Sequence, residues 1–132
     1  MRFRSYGKSD IGRRRKVNQD AFLIDDVLGF YVVADGMGGH AAGDVASRYV
    51  TETIQQGAGE VADAQAAGDL LIHANRRLYE AMDTGIGAPG MGTTVAGVIL
   101  RQGAAVQFNI GDSRIYRMDP GARALTQLSV DD

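Results

Sequence analysis

The stretch that decides the fold is Phe30-Tyr31-Val32-Val33-Ala34-Asp35-Gly36-Met37-Gly38-Gly39-His40. Its first five residues form an apolar run that is typical of a strand buried on both faces. The strand runs directly into Asp35, so a carboxylate emerges where a buried strand ends. An isolated charge is costly in such a place unless it is coordinated or paired. The glycines that follow take the backbone out of ordinary helix or strand geometry.

The segments on either side of this stretch predict strands, then two helices, then strands. Apolar positions recur on one helical face over 43–56 and again over 63–83. Strand patterns cover 3–9, 21–25, 30–34, 93–100, 104–110 and 113–118, and a further strand could begin at 124–126. Short turns make neighbouring strands antiparallel, and the helix pair has to cover one sheet face. The pattern therefore predicts a layered α+β sandwich.

Length and composition limit the class of protein. The 132 residues suffice for one domain and are too few for two. A net charge of -2 argues against nucleic acid as a partner, because that would call for a basic face. No stretch approaches the roughly 18 apolar residues of a membrane span, and the first residues lack the apolar run of a secretory signal. We expect a cytoplasmic protein without a membrane partner.

The absence of cysteine excludes a phosphatase that works through a phosphocysteine intermediate. With His40 and His73 as the only histidines, a zinc site rich in imidazole is also disfavoured. A metal ion would therefore be held by oxygen ligands, which favours Mg²⁺ or Mn²⁺.

Four polar clusters lie at the ends of apolar strands, at 12–20, 34–40, 92–94 and 109–114. Each has an ordinary structural interpretation when it is considered alone. Asp35 could open a glycine turn, Asp112 could belong to a hairpin turn, and Asp20 could cap a strand. The basic run 13–16 could be a solvated patch or a docking site for phosphate.

Together the clusters resemble the bacterial branch of the metal-dependent type 2C serine/threonine protein phosphatases, the PPM family, in identity, order and spacing. The resemblance extends from about residue 6 to residue 132 and includes the segment 125–131. The residues that carry it are Asp10, Ile11, Gly12, Arg15, Asn18, Asp20, the run Asp35 to His40, Gly43, Gly92, Thr93, Thr94, Gly111, Asp112, Ser113, Arg114 and Tyr116.

The resemblance implies an α-β-β-α sandwich of antiparallel sheets with two Mn²⁺ or Mg²⁺ ions, and a third weaker one, at one end. Asp35 would bridge both ions, and Gly36 would offer its carbonyl to one of them. Asp20 would support the cluster through water, and Asp112 would belong to the third metal site.

The resemblance also implies how the reaction proceeds. A metal-activated water would hydrolyse phosphoserine and phosphothreonine in proteins, so no protein nucleophile is needed. Arg15 would clamp the substrate phosphate with two parallel hydrogen bonds. Thr94 would lie in the hydrogen-bond network around the metal-bound waters, and His40 is a candidate acid for the leaving oxygen. The partners would be phosphorylated proteins, substrates of a serine/threonine kinase.

Two features depart from the family pattern. Gln19 stands where the family often has glutamate, which lowers the local negative charge by one. The family's domain is also much longer, and its later half supplies further metal-binding aspartates. We therefore expect residues 1–132 to be the N-terminal part of a single phosphatase domain, with an incomplete sandwich and little activity alone. Exposed strands of such a fold could pair with a second copy.

Two other functions compete with this one. A phosphatase-like module could bind phosphorylated or regulatory partners without turnover, since Asp35 and Arg15 would serve binding equally well. A nucleic-acid binder centred on 13–16 would lack both a positive net charge and an aromatic stacking surface beside that run.

Overall fold

The structure, a computed structural model, describes residues 3–13, 18–37 and 42–132. Two strands, β1 (Asp20–Asp25) and β2 (Phe30–Met37), precede the helices α1 (Ala42–Gly57) and α2 (Ala64–Asp83), which are joined by a single 3-10 turn at Ala58–Glu60. Five strands follow, β3 (Gly92–Thr93), β4 (Val95–Arg101), β5 (Ala104–Ile110), β6 (Tyr116–Asp119) and β7 (Ala124–Gln127). The predicted α+β class with antiparallel sheets is confirmed.

The larger sheet has the order β1-β2-β4-β5, with β3 also paired to β2, and β6 and β7 form a separate hairpin. All of these pairings are antiparallel. β2 lies between β1 and β4, and near its end it pairs with β1 on one side and with β3 on the other. Asp35 lies in this part of the strand, two residues before Met37.

Both helices pack on one face of the larger sheet. Ala46, Val50 and Ile54 of α1 recur every four residues and are buried against Phe30 and the other apolar residues of the core. The α2 helix is capped at its N-terminus by Asp63, whose carboxylate accepts a hydrogen bond from the backbone N–H of Ala66 at 2.8 Å. Among the described residues, no helix is long and apolar enough to cross a membrane.

The face of the sheet opposite the helices is also apolar, and we call it the far face. The strand registers place Phe22, Tyr31, Val33, Ala96 and Val98 on it. Val33 is 49% exposed, so the prediction of a strand buried on both faces was wrong for this part of β2. The reason is that the far face is covered only in part, by the segment around Gly7 and by the segment 128–130.

Two segments without regular structure lie on the far face. A side chain at Gly7 would come within 2.6 Å of Ile24 and 2.7 Å of Phe22, so the backbone there rests directly on β1. Farther along, Gln107 and Asn109 donate side-chain hydrogen bonds to the carbonyls of Leu128 and Val130, at 2.9 and 2.8 Å. The last residues of the chain therefore run beside β5.

The structure corrects four of the predicted strands. The strand predicted at 30–34 continues to Met37, so Asp35 and Gly36 belong to the strand, although the glycines were expected to end it. Residues 3–9, which the structure describes, form no strand, because this segment crosses the sheet face instead of pairing with an edge. The strand predicted at 93–100 is divided at Thr94 into β3 and β4. The strand predicted at 113–118 begins only at Tyr116, because pairing with β7 starts there, opposite Gln127.

Candidate active site

Two carboxylates face each other at the end of the larger sheet. Asp20 of β1 is the register partner of Asp35 of β2, and both are on the far face with Phe22 and Val33. Like charges directly opposite each other on antiparallel strands repel. A cation between them would offset that repulsion, and carboxylate oxygens are the ligands that Mg²⁺ and Mn²⁺ prefer. The donor chemistry of the pair therefore fits a divalent metal.

A cavity of about 240 Å³ opens over this pair. Asp20 and Asp35 lie on its wall together with Lys8, Ser9 and Ser113. Among the described residues that line the cavity, Lys8 carries the one positive charge, and Asp20 and Asp35 carry the two negative charges. An anion such as phosphate would be repelled by the two carboxylates unless bound cations offset their charge.

The loop before β1 fixes the position of Asp20. The side-chain oxygen of Asn18 accepts a hydrogen bond from the backbone N–H of Asp20 at 3.0 Å. The amide of the same asparagine donates to the hydroxyl of Ser9 at 2.7 Å. Asn18 therefore joins β1 to the segment that forms the opposite wall of the cavity.

Gly36 is positioned by unusually close backbone contacts. Its N–H donates to the carbonyl of Gln19 at 3.0 Å. A Cβ atom at Gly36 would come within 1.8 Å of the carbonyl oxygen of Gly43, in the first turn of α1. Gly36 itself is buried and is not among the described residues that line the cavity. Its role as a carbonyl ligand remains a prediction.

Thr94 is buried, with 4% of its surface exposed, and contacts Asp35 through its hydroxyl. The hydroxyl accepts a hydrogen bond from the backbone N–H of Asp35 at 3.0 Å and is hydrogen-bonded to the Ser113 hydroxyl at 2.6 Å. The structure thus brings Thr94 to the site through the backbone of Asp35. Its predicted place in a network around metal-bound waters is not tested by these contacts.

Of the remaining predicted site residues, Asp112 is the one that the structure describes. Asp112 is exposed in the turn between β5 and β6 and, in the described part of the chain, does not line the cavity. Arg15 and His40 fall outside the described residues. Within 3–13, 18–37 and 42–132, no group of three or more acidic or histidine side chains could hold a metal ion. Asp20 and Asp35 are therefore a partial ligand set.

The comparison with known proteins decides the family. The family model for protein phosphatase 2C matches residues 7–132.

This chain belongs to the protein phosphatase 2C family.

Several relatives are about one third identical to it over the aligned residues. The serine/threonine phosphatase stp of Listeria monocytogenes is 32% identical over 134 residues, which cover 94% of this chain and 52% of the relative. The serine/threonine protein phosphatase PstP of Mycobacterium tuberculosis is 34% identical over 132 residues, which cover 95% of this chain and 24% of the relative. The chain thus spans about half the length of the first of these relatives and less of the second.

Solved structures agree with this assignment. A crystal structure of the Mycobacterium tuberculosis phosphatase PstP/Ppp matches with a TM-score of 0.85 at 30% identity, over 95% of this chain and 53% of that one. The catalytic domain of PstP in complex with two manganese ions matches with a TM-score of 0.84 at 30% identity, over 95% of this chain and 54% of that one.

The turn of this phosphatase 2C chain that carries Asp112 and Ser113 is anchored by the last residues. Arg114 makes a two-pronged ion pair with Asp131, with nitrogen–oxygen distances of 3.0 and 2.7 Å. The backbone N–H of Asp132 donates to the carbonyl of Gly111 at 3.0 Å. Sequence reasoning did not find this pairing, because the two partners are seventeen positions apart and the hairpin of β6 and β7 separates them.

We expect removal of Arg114 to raise the pKa of Asp131. Hydrogen bonds from Arg114 hold the pKa of the Asp131 carboxyl below its ordinary value of 3.8. Because the folded pKa is depressed, the ion pair stabilises the turn above 3.8 and is lost as pH falls through the folded value. Carboxyl chemical shifts followed by NMR during an acid titration would measure this. In Arg114→Gln the Asp131 pKa should move up toward 3.8, and an unchanged value would contradict the pairing.

Proposed function

We propose that the protein carrying this chain hydrolyses phosphoserine and phosphothreonine in proteins, with Mn²⁺ or Mg²⁺ held in part by Asp20 and Asp35. The observation that carries this proposal is the pairing of the two carboxylates on the wall of one cavity. Divalent cations in such a site neutralise the charge of a phosphate dianion and activate water for attack on phosphorus. The manganese-bound PstP catalytic domain supports the choice of metal.

The acidic residues of this chain would bind the cations, and its basic residues would bind the substrate phosphate. Asp20 and Asp35 supply the negative charge that retains the cations. Lys8, on the same cavity wall, supplies a positive charge that attracts the substrate phosphate. Arg15 would hold two phosphate oxygens with its planar fork. His40 would donate a proton to the leaving seryl or threonyl oxygen.

A complete metal centre needs more ligands than these two carboxylates. Two roughly octahedral ions have about a dozen ligand positions between them, and waters fill positions without neutralising charge. Asp112 is proposed for a third ion at the edge of the same site. We expect the 132 residues by themselves to bind cations weakly and to show negligible turnover.

We also propose the setting in which the phosphatase acts. Its substrates would be proteins phosphorylated by a serine/threonine kinase in the cytoplasm. The apolar far face, where Val33 and Phe22 are 49% and 43% exposed, would promote self-association of the 132-residue chain.

Exhaustive chelation of the full-length protein should abolish phosphatase activity on phosphoserine and phosphothreonine peptides. The reason is that the proposed nucleophile is a water molecule whose activation depends on the cations. Release of inorganic phosphate would be measured before chelation, after it, and after Mn²⁺ or Mg²⁺ is restored. We expect activity to return with the added metal. Turnover that survives chelation would refute the proposed mechanism.

A further inference from the structure

The β-ladder of this phosphatase 2C chain is altered at Asp35. Val33 pairs with Ala96 and Gly36 pairs with Thr93, which is one continuous antiparallel register. Asp35 therefore lies opposite Thr94. In an antiparallel ladder, hydrogen-bonded pairs alternate with pairs that are not hydrogen-bonded, and the two residues of a hydrogen-bonded pair exchange two backbone hydrogen bonds, one in each direction.

At this pair only one of the two bonds is made by backbone alone. The N–H of Thr94 donates to the carbonyl of Asp35 at 2.9 Å. In the other direction, the N–H of Asp35 donates to the side-chain hydroxyl of Thr94 at 3.0 Å instead of to its carbonyl. The Thr94 carbonyl accepts from the Thr93 hydroxyl at 2.8 Å. A side chain thus replaces the backbone acceptor at the residue that carries the proposed metal ligand.

The orientation of the Thr94 hydroxyl depends in turn on the turn between β5 and β6. Ser113 Oγ lies 2.6 Å from Thr94 Oγ1. Gly111, with φ of +100°, packs so closely that a Cβ there would come within 2.8 Å of Thr94 Cγ2. The buried threonine is therefore held on its methyl side by Gly111 and on its hydroxyl side by Ser113.

The hydrogen-bonding capacities of the three groups agree with this arrangement. A hydroxyl has one proton and two acceptor positions. Thr94 Oγ1 accepts from the Asp35 N–H, and its own proton then needs an acceptor. Ser113 Oγ, at 2.6 Å, lies within reach as that acceptor, so the serine can satisfy the proton of a buried hydroxyl that would be costly to leave unpaired. Ser113 also reaches the cavity wall beside Asp20 and Asp35.

We propose that Ser113 is a positioning residue that orients Asp35 through Thr94. This inference rests on the proposed function, because it assigns Asp35 to the metal site. Ser113 acts on the backbone of the ligand residue and not on the phosphate. Loss of its hydroxyl should therefore change metal affinity and turnover, and leave the Michaelis constant for phosphopeptide unchanged at saturating metal.

The test compares Ser113→Ala and Thr94→Val, separately and together, in the full-length protein. Three quantities are measured: Mn²⁺ affinity by titration calorimetry, steady-state kinetics at saturating Mn²⁺, and hydrogen exchange of the Asp35 amide in metal-free protein. Loss of one hydrogen bond should weaken Mn²⁺ binding by roughly two- to tenfold and speed exchange of the Asp35 amide. The double variant should resemble Thr94→Val alone, because both changes break one chain of contacts.

Ser47→Ala is the matched control. Its buried hydroxyl donates a hydrogen bond to the carbonyl of Asp44 within α1. The substitution should therefore leave the exchange rate of the Asp35 amide and the Mn²⁺ affinity at their wild-type values. Thr94→Ser, which keeps the hydroxyl, should recover most of what Thr94→Val loses. Wild-type Mn²⁺ affinity and Asp35 exchange in Ser113→Ala would overturn the positioning role.

The outcomes distinguish this inference from the proposed function. Normal metal dependence of activity together with an unaffected Ser113→Ala protein would refute only the role of Ser113. Activity that persists after chelation would refute the proposed function, while exchange of the Asp35 amide would still report whether Ser113 and Thr94 hold that backbone. A raised Michaelis constant in Ser113→Ala would show direct phosphate contact and would also overturn the positioning role.

Discussion

Asp35→Asn should lower the proposed phosphatase turnover of the full-length protein by about a thousandfold or more, because a neutral amide cannot retain cations as a carboxylate does. The substitution preserves the size of the side chain and leaves the backbone bonds to Thr94 in place. The fold should therefore be retained, and the loss should come from the missing charge. Steady-state hydrolysis of a phosphothreonine peptide in saturating Mn²⁺ measures the effect, and circular dichroism checks the fold.

The same substitution at Asp83 provides the control. Asp83 is exposed and is the last residue of α2, so Asp83→Asn should have wild-type turnover. Asp35→Asn activity within tenfold of wild type would show that Asp35 does not retain the metal ions.

The helices and most of the strands could be predicted because they depend on local apolar patterns. The predicted helix 43–56 differs by one residue at each end from α1, and the predicted helix 63–83 differs by its capping residue from α2. These boundaries follow from helical periodicity and from capping residues such as Asp63, which are both local signals. The segment 3–9 was predicted incorrectly because its alternating pattern cannot reveal whether a strand partner is present.

The candidate site was predictable only as a set of residues. Asp20 and Asp35 stood out because each lies at the end of an apolar strand, and the strand register then places them opposite each other. The hydrogen bond from the Asp35 N–H to the Thr94 hydroxyl could not be predicted, since it depends on which backbone N–H lies within reach. Ser113 was named among the residues that carry the family resemblance, but no role followed for it from the sequence, because serine is common in turns.

The final prediction concerns the junction of β2 and α1. Gly36→Ala should lower the free energy of unfolding by about 3 kcal/mol or more. The new Cβ would meet the Gly43 carbonyl oxygen at 1.8 Å, its carbonyl carbon at 2.4 Å and the Gln19 carbonyl oxygen at 2.7 Å. All three are backbone atoms, so no side chain can rotate away to make room. The first turn of α1 would have to move off the sheet, and its buried residues Ala42 and Ala46 would move with it.

Gly68→Ala is the matched control, because the same substitution should there raise the free energy of unfolding instead of lowering it. Gly68 lies inside α2, and a Cβ at that position would meet no atom within 4 Å. Alanine is the better helix former, so Gly68→Ala should raise the free energy of unfolding by about 0.5–1 kcal/mol. Urea denaturation of both variants beside the wild type measures the two effects. If the free energy of unfolding of Gly36→Ala lies within about 1 kcal/mol of the wild-type value, the close approach of β2 and α1 is wrong. In that case the strand end that presents Asp35 is not fixed by α1.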